Sequence, residues 1–560
     1  MALDSVRHTG PSEDSHYVRV DTARQLTTHV GSIPQPISWA LRRPWAVILA
    51  LTASALLIRT YFVVNHAGYW GVDGGAYLLS ARWVQGIEST HTDFIRPWLA
   101  PGWLLVPLIR AFGPDGALKA FAVLTTLPFL LPLWLLCRQF LSPWQTVFVI
   151  FAVLTDWMLA EMFTAGSLPL LAFAPTLLAA WCIWRLAHHS TWRLSLTLAV
   201  SLALIPYVNQ TSAGIALSFF PLYTLAVLVV TRRLSLVRRL ALPVLGAALL
   251  ALPAWPFYRD VGIQSDMLRY PGPLVTFYTV DNAAWIYALT LLPFALLSIW
   301  RGSGLVRALG LVLLIMAPVS CLVSYSESLM NIFYRLRYMQ MLLFWPLAAY
   351  WGARFFSQPD WRWLRAPVVG ALLLLLPLGW LYQMQVESKL GRMVSPDSAA
   401  ALDWLQRQPH DGAIGTNSYS LSLYVAALTQ RRSPWVQIYS PPKAYVSQHN
   451  DMVCLVGWRP GCDVAAADRR LGLSYLLVER LWPTREMEVA RVVPDLTPVY
   501  DLLQYTSPWG DDQLGKVWDA PMEQPLYPWA VTDRNATWLT PVWRQGTVQI
   551  WRIEHAEALQ

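Results

Sequence analysis

Lysine is almost missing from this chain. It occurs only at positions 119, 389, 443 and 516 of 560, so nearly all positive charge is arginine, the bias of a GC-rich prokaryotic genome. Charge of either sign is scarce too: 14% of residues are charged and 55% are hydrophobic, whereas soluble domains carry charge on about a quarter of theirs. That excludes an ordinary soluble fold. No basic run is interleaved with aromatics in the manner of a phosphate-tracking groove, which argues against a nucleic-acid partner despite the formal charge of +8. No repeat at solenoid periods is present. No cleavable signal peptide opens the chain: residues 1–43 are polar and mixed in charge, and the first apolar stretch, introduced by Leu41-Arg42-Arg43, has full span length and is expected to stay as an anchor.

What is abundant is apolar sequence. A helix crossing about 30 Å of hydrocarbon needs roughly 20 apolar residues, and such windows recur between residues 44 and 385. They predict a polytopic α-helical membrane domain of about eleven transmembrane helices. The windows are 44–64, 116–137, 144–164, 168–186, 194–208, 212–231, 240–257, 283–300, 305–324, 338–355 and 366–384. Arginines gather in short loops at every second crossing: Arg42-Arg43, Arg138, Arg185 with Arg193, Arg232-Arg233 with Arg238-Arg239, Arg301 with Arg307, and Arg354 with Arg362 and Arg365. By the positive-inside rule these loops are cytoplasmic. Residues 1–43 are then a flexible cytoplasmic tail in a multi-pass protein of the prokaryotic inner membrane, and an odd number of spans puts the C terminus outside.

Three outer loops result. The first, 65–115, contains a helical pattern at Ala76–Val84 and an apolar stretch, Trp98–Phe112, too short to span; both suit interfacial helices. The second is 258–282, and the third runs from Ser324 to Arg337. From residue 386 the composition becomes that of a soluble domain. Helices are expected at Ser398–Arg407, Leu421–Thr429 and Ala465–Leu473, with strands at Ala413–Thr416, Tyr475–Val478 and Val548–Ile553. Residues 386–560 are thus read as a small extracytoplasmic α/β domain of about 175 residues. Its Cys454 and Cys462 are the only cysteines outside the spans, and an oxidising compartment favours a bridge between them. Too few ligands lie nearby for zinc. Cys137, Cys182 and Cys321 fall within or at the ends of spans, as packing residues.

Asp73 stands in Gly68-Tyr-Trp-Gly-Val-Asp73-Gly-Gly-Ala-Tyr77, just past the first span. A lone carboxylate where a lipid-facing helix meets the outer aqueous phase is well placed to act on a lipid-borne substrate; its other reading is an N-cap for the helix that follows. Asp156 and Glu161 lie in the outer half of the third predicted span, where carboxylates are costly and normally face a polar cavity. A shorter span would leave Glu161 at the surface. Asp93 is a further acid of the first loop, and no spacing of these acids is diagnostic of a Mg²⁺ or Mn²⁺ site.

The pattern Asp73-x-x-x-Tyr77, followed by Ala81-Arg82, Gly86, Arg96-Pro97, Pro101-Gly102 and Phe112-Gly113, resembles the first loop of GT-C membrane glycosyltransferases, including the protein O-mannosyltransferase and aminoarabinose-transferase types. Arg335-Leu-Arg337-Tyr338, running into a span with Pro346, resembles the Arg-Tyr entry to a late span in the same enzymes. Together with span number and an outer C-terminal domain, the likeness covers most of residues 44–560. Two features depart from it. Gly74 and Gly75 stand where many relatives carry a second acid, and Ile95-Arg96-Pro97-Trp98 replaces the Glu-Lys-Pro-Pro signature of the aminoarabinose type.

The resemblance implies transfer of a sugar from a polyprenyl-phosphate-type donor to a glycan, lipid or protein acceptor, usually with inversion. It implies Asp73 as general base. Arginine forks suit the leaving phosphate, and the candidates are Arg337, Arg259, Arg335, Arg269 and Arg96, each of which also fits simple snorkelling toward headgroups. Tyr77, Tyr338, Glu161, Asp156 and Asp93 are candidate substrate-site residues; no metal site is assigned, and a divalent cation, Mg²⁺ or Mn²⁺, is the one cofactor left open. A lipid or solute transporter and a non-catalytic relative are the competing readings. Transporters tend to hold their charges near the midplane in inverted repeats, whereas these candidates gather in outer loops.

Overall fold

The structure is a computed structural model. It describes residues 60–86 (without 67, 72 and 73), 99–156, 168–254 (without 209), 280–324, 330–364, 394–433 (without 410, 411, 417 and 418), 464–479 and 539–554 (without 547). Scattered positions between 50 and 58 and between 367 and 381 are also described, as are residues 159 and 451. Residues 52–560 hold together as one unit; the other unit is 1–51, of which only Ala50 is described.

Residues 60–64 are helical and end at Asn65, whose backbone and side-chain amides both donate to Tyr61 O, at 3.0 and 2.7 Å. Helix α1, Gly74–Val84, and helix α2, Leu99–Leu124, follow in the first loop region. With α3, Leu127–Cys137, helix α2 makes an apolar run of 39 residues. Unbroken, it would extend roughly 58 Å, about twice the hydrocarbon thickness. It is broken at Gly113, where φ is 70° and ψ 176°, a conformation reserved for glycine. The kink separates the interfacial stretch expected up to Phe112 from the helix that enters the membrane.

Then come α4, Pro143–Thr155; α5, Leu168–His188; α6, Trp192–Leu204, tightened into a 3₁₀ turn at Ile205–Tyr207; α7, Gln210–Thr231; and α8, Ser235–Ala251. Helices α9, Val280–Arg301, α10, Gly304–Ser324, and α11, Met330–Phe355, complete the described bundle. Four described helical runs are long and apolar enough to cross a membrane: Leu99–Cys137, Leu170–His188, Ala213–Thr231 and Ser235–Ala254. Shorter apolar helices stand beside them. Leu242, Leu245 and Leu249 along α8, and Leu225 and Val229 on α7, are exposed. Soluble proteins rarely show contiguous apolar surface on that scale, so the chain is a polytopic helical membrane protein.

Two helix ends differ from the sequence reading. Helix α4 stops at Thr155, with Asp156 as its extended C-cap, so the expected span 144–164 is not one continuous helix. Helix α11 begins at Met330 rather than 338, because Met330 to Tyr338 contains no proline or glycine and its two arginines are good helix formers. The third outer loop is correspondingly shorter, and Arg335 and Arg337 lie in the helix.

The arginine-bearing turns share one end of the bundle. Arg233 Nη1 donates to Ala187 O at 2.8 Å and Arg239 Nη1 to Leu186 O at 2.7 Å. Residues starting α8 thus satisfy carbonyls left over at the C terminus of α5. Gly304, at the turn between α9 and α10, faces the ring of Trp184 on α5.

The C-terminal region is α/β. Helix α12, Pro396–Gln406, is capped by Ser395, whose hydroxyl accepts from Ser398 N at 3.0 Å. Strand β1, Ala413–Thr416, leads to α13, Tyr419–Thr429; α14, Val464–Leu471, leads to β2, Leu473–Glu479; and β3, Leu539–Gln545, pairs with β4, Val548–Ile553. The sheet order is β1-β2-β4-β3, with β1 parallel to β2 and the other pairs antiparallel. Strand β3 is absent from the sequence reading because Pro541 interrupts its pattern. It is an edge strand, where proline is tolerated, and the register shifts between Pro541 and Trp543.

Candidate functional site

The chain leaving the first apolar segment is gripped by the C-terminal region over a few residues. His66 Nε2 lies 3.1 Å from Val394 O, and Val394 N donates to Tyr69 O at 3.2 Å. Gly68 is required between them, since a Cβ there would sit 1.9 Å from Val394 O. Burial lowers the pKa of His66, with the Lys119 charge acting in the same direction, and burial raises that of Tyr69. Tyr69 packs on Tyr424 of α13 at 5.3 Å between ring centroids.

Tyr424 is fully buried. Its hydroxyl lies 2.6 Å from Gly71 O and 3.2 Å from Trp70 O, the shorter contact being the hydrogen bond it donates. Gly71, at φ 89°, turns the chain and accepts from Gly74 N at 3.2 Å, which starts α1. A Cβ on Gly74 would meet Tyr424 Oη at 1.9 Å, and one on Gly75 would meet Tyr424 N at 2.5 Å and Leu423 C at 2.6 Å. The two glycines that depart from the paired-acid pattern are therefore where helix α13 touches the backbone of α1. Eight residues further along α1, the Arg82 guanidinium donates to Ala427 O and Ala426 O near the C terminus of α13, where cations complete unsatisfied carbonyls. Asp73 itself lies outside the described residues, between the anchored Gly71 and Gly74.

Tyr77 is buried in the core beneath this joint, 5.4 Å from the Phe121 ring of α2. The same core takes in Leu118 of α2, Ala172 of α5, Val208, Leu402 of α12, Tyr424 and Ile550 of β4. Val208 and Ala172 belong to the ends of α6 and α5 away from the arginine turns. The first-loop helix and the C-terminal sheet thus share one core at the end of the bundle opposite those turns.

A second set of buried polar residues lies along α11 and links it to α4 and α10. Asp156 is 2% exposed, and its carboxylate accepts a hydrogen bond from Trp345 Nε1 at 2.6 Å. Arg337 is 7% exposed, with its guanidinium 5.2 Å from the Tyr338 ring, and Gln340 Nε2 donates to Met316 O of α10 at 2.8 Å. Arg337 and Trp345 are about 12 Å apart along the α11 axis. The expectation of an exposed arginine ahead of the last-but-one span is corrected: Arg337 is a buried guanidinium within the helix, tolerated because it is partnered.

The structure therefore pairs Asp156 with Trp345 of α11, places Arg337 and Tyr338 further along the same helix, and brings Tyr77 to the core beneath the joint with α13. Arg96, Arg259, Arg269, Asp93, Glu161, Cys454 and Cys462 lie outside the described residues, and of Arg335 only the backbone is described. Among the described residues no group of three or more His, Cys, Asp or Glu side chains is arranged to hold a metal ion. Tyr424, Val394, His66 and Trp345 escaped the sequence reading. The single local signal was the Gly74-Gly75 pair, which marks a close backbone approach without naming what approaches.

No family model matches the chain, and no curated protein matches it in sequence. Solved structures do. The chain superposes on ArnT from Cupriavidus metallidurans bound to undecaprenyl phosphate with a TM-score of 0.54 at 12% identity, over 90% of this chain and 97% of that one. It superposes on the arabinofuranosyltransferase AftD from Mycobacteria with a TM-score of 0.53 at 16% identity, over 91% of this chain and 40% of that one. The oligosaccharyltransferase AglB from Archaeoglobus fulgidus follows at 0.49 and 13% identity, over 80% of this chain and 72% of that one; at that score it adds nothing to the other two. The fold is that of the GT-C membrane glycosyltransferases, and at these identities fold is what is shared.

Proposed function

We propose that the protein is a membrane glycosyltransferase that moves a sugar from a polyprenyl-phosphate-type donor to a glycan, lipid or protein acceptor on the extracytoplasmic face, with inversion. The observation that carries this reading is the near end-to-end likeness to ArnT, a protein solved with undecaprenyl phosphate bound. It is joined by the family-like motif, in which Asp73 immediately precedes Gly74, the first residue of α1. The extracytoplasmic face and the boundaries 44–385 and 386–560 belong to this proposal, supported by the arginine-bearing turns at the opposite end of the bundle.

In the proposed reaction an acceptor hydroxyl attacks the anomeric carbon as its proton passes to the Asp73 carboxylate. The bond from that carbon to the phosphate oxygen breaks, and the electron pair leaves with the lipid phosphate. Arg96, Arg259, Arg269 and Arg335, together with the buried Arg337 of α11, are assigned to the charge on that phosphate, because a guanidinium binds its oxygens in pairs. Tyr77, Tyr338, Asp93, Asp156 and Glu161 remain substrate-site candidates, and a Mg²⁺ or Mn²⁺ ion would find its oxygen ligands among these acids.

The test uses full-length protein in nanodiscs, with undecaprenyl phosphate as binding probe and a panel of undecaprenyl-phosphate-linked pentoses and hexoses as donors. Asp73→Asn keeps size and capping ability while removing the basic carboxylate. It is expected to bind undecaprenyl phosphate like the wild type yet transfer sugar at least about 10²-fold more slowly, with thermal unfolding little changed. Transfer near the wild-type rate in a folded Asp73→Asn protein would falsify the base assignment; if it acts only as a cap, the change costs about 1 kcal/mol or less.

A further inference from the structure

The C-terminal region touches the membrane domain where a transferase of this kind is most sensitive to geometry. Tyr424 lies 353 residues from Gly71 in sequence, yet its hydroxyl holds the Gly71 carbonyl at 2.6 Å. The same oxygen fills the space a side chain at Gly74 would need, 1.9 Å from the Cβ position. The residue between these two contacts, one before Gly74 and two after Gly71, is Asp73.

We propose that Tyr424 is a positioning residue: its hydroxyl fixes Gly71 and abuts Gly74, so the C-terminal region holds the chain on both sides of Asp73, on which the proposed transfer depends. Three features of the joint support this over plain packing. The contact is a directed hydrogen bond to a main-chain carbonyl in a turn with φ of 89° at Gly71, so it defines the backbone as well as filling space. Gly75 faces the backbone of residues 423 and 424 at less than van der Waals distance for any Cβ, which keys α1 to α13 in a single register. Val394 grips Tyr69 and His66 from the other side, so His66, Tyr69 and Gly71 are each held by the C-terminal region. Ordinary core contact between two helices needs none of these.

The inference rests on the general-base reading of Asp73, and three variants of the full-length protein separate the two. Tyr424→Phe keeps the ring and removes the hydroxyl. It is expected to leave undecaprenyl phosphate affinity within about twofold while kcat falls about tenfold or more, since displacements of the order of 1 Å at a reacting group cost up to about 10²-fold. Gly74→Ala is expected to lose thermal stability and turnover together. Gly74→Ala combined with Tyr424→Phe is expected to regain thermal stability relative to Gly74→Ala alone, because the oxygen at 1.9 Å is the worst of the contacts and the phenyl ring lacks it, while its turnover stays no higher than that of Tyr424→Phe. A wild-type kcat in Tyr424→Phe overturns the positioning role, as does a parallel fall of donor affinity and kcat that tracks unfolding. A double variant no better than Gly74→Ala overturns the joint itself, and its thermal measurement needs no substrate. Full turnover in Asp73→Asn overturns the base reading and with it what Tyr424 positions, leaving the joint to the thermal comparison.

Discussion

Gly74 and Gly75 follow Asp73 without an acid between them, and the reason lies more than 300 residues away. Any side chain at either position would collide with α13, so the second carboxylate of the related pattern is sterically excluded here rather than simply lost. One carboxylate suffices for the proposed transfer because the leaving group is already a phosphate and needs no general acid. Deeper in the bundle, Asp156 and Trp345 form a buried pair. Asp156→Ala takes the acceptor from a buried indole N–H and is expected to cost about 1 to 3 kcal/mol in thermal or denaturant unfolding. Asp156→Asn keeps an acceptor oxygen and should lose clearly less. Equal losses in both variants would mean that Trp345 does not depend on that bond.

At the scale of elements, the apolar windows located the helices well. The expected spans 168–186, 212–231 and 305–324 correspond to Leu168–His188, Gln210–Thr231 and Gly304–Ser324. Hydropathy works there because a helix in lipid must be apolar along its length. It fails at helix ends, where backbone geometry rather than composition decides: α4 stops at Asp156, and α11 runs through two arginines that look like loop residues to a hydropathy window. The short buried strands β1, β2 and β4 were legible from their β-branched and aromatic content, whereas the edge strand β3 was hidden by Pro541. Of the candidate site, the motif around Asp73 was readable, but its partner was not, because no local pattern announces a contact such as Tyr424 to Gly71. The break at Gly113 offers a direct check on element geometry. Nothing lies within 4 Å of a Cβ built there, so Gly113→Ala meets no steric obstacle and its cost is purely conformational. It is expected to destabilise the protein by about 1 to 3 kcal/mol, read by thermal unfolding in detergent. An unchanged midpoint would show that the two halves of α2 can join without a residue at positive φ.

For the molecule as a whole, His66 is a pH-dependent fastening between the first apolar segment and the C-terminal region. Its folded pKa is lowered, chiefly by burial and further by Lys119, with the Val394 carbonyl and Asp115 acting against. Above its usual value of about 6.5, neither state binds the proton and stability is unaffected. Below 6.5 the unfolded chain takes up a proton that the folded one resists, so stability falls as pH drops toward the lowered folded value. Thermal midpoints from pH 8 to 5 should therefore decline less in His66→Gln than in the wild type, and superimposable profiles would remove the effect. The cysteines report on compartment. Cys137 and Cys182 are buried within the bundle and should resist alkylation until the protein unfolds, whether or not reductant is present. Cys454 and Cys462, proposed to be bridged outside the membrane, should react in folded protein only after reduction, as peptide mass mapping would show.

The hydrogen bond from Tyr424 to Gly71 has a consequence for how the protein comes into being. Its two ends leave the ribosome 353 residues apart, an interval of roughly 20 to 70 seconds at ordinary elongation rates. Throughout that time the turn entering α1 lacks the residue that closes it. The Asp73 segment is thus completed only when the last part of the chain has been delivered to the same side. If Asp73 is the base proposed above, a polypeptide that stalls, or is clipped before Tyr424, carries that carboxylate without the frame around it, and unfinished copies would be silent in the membrane rather than active without control.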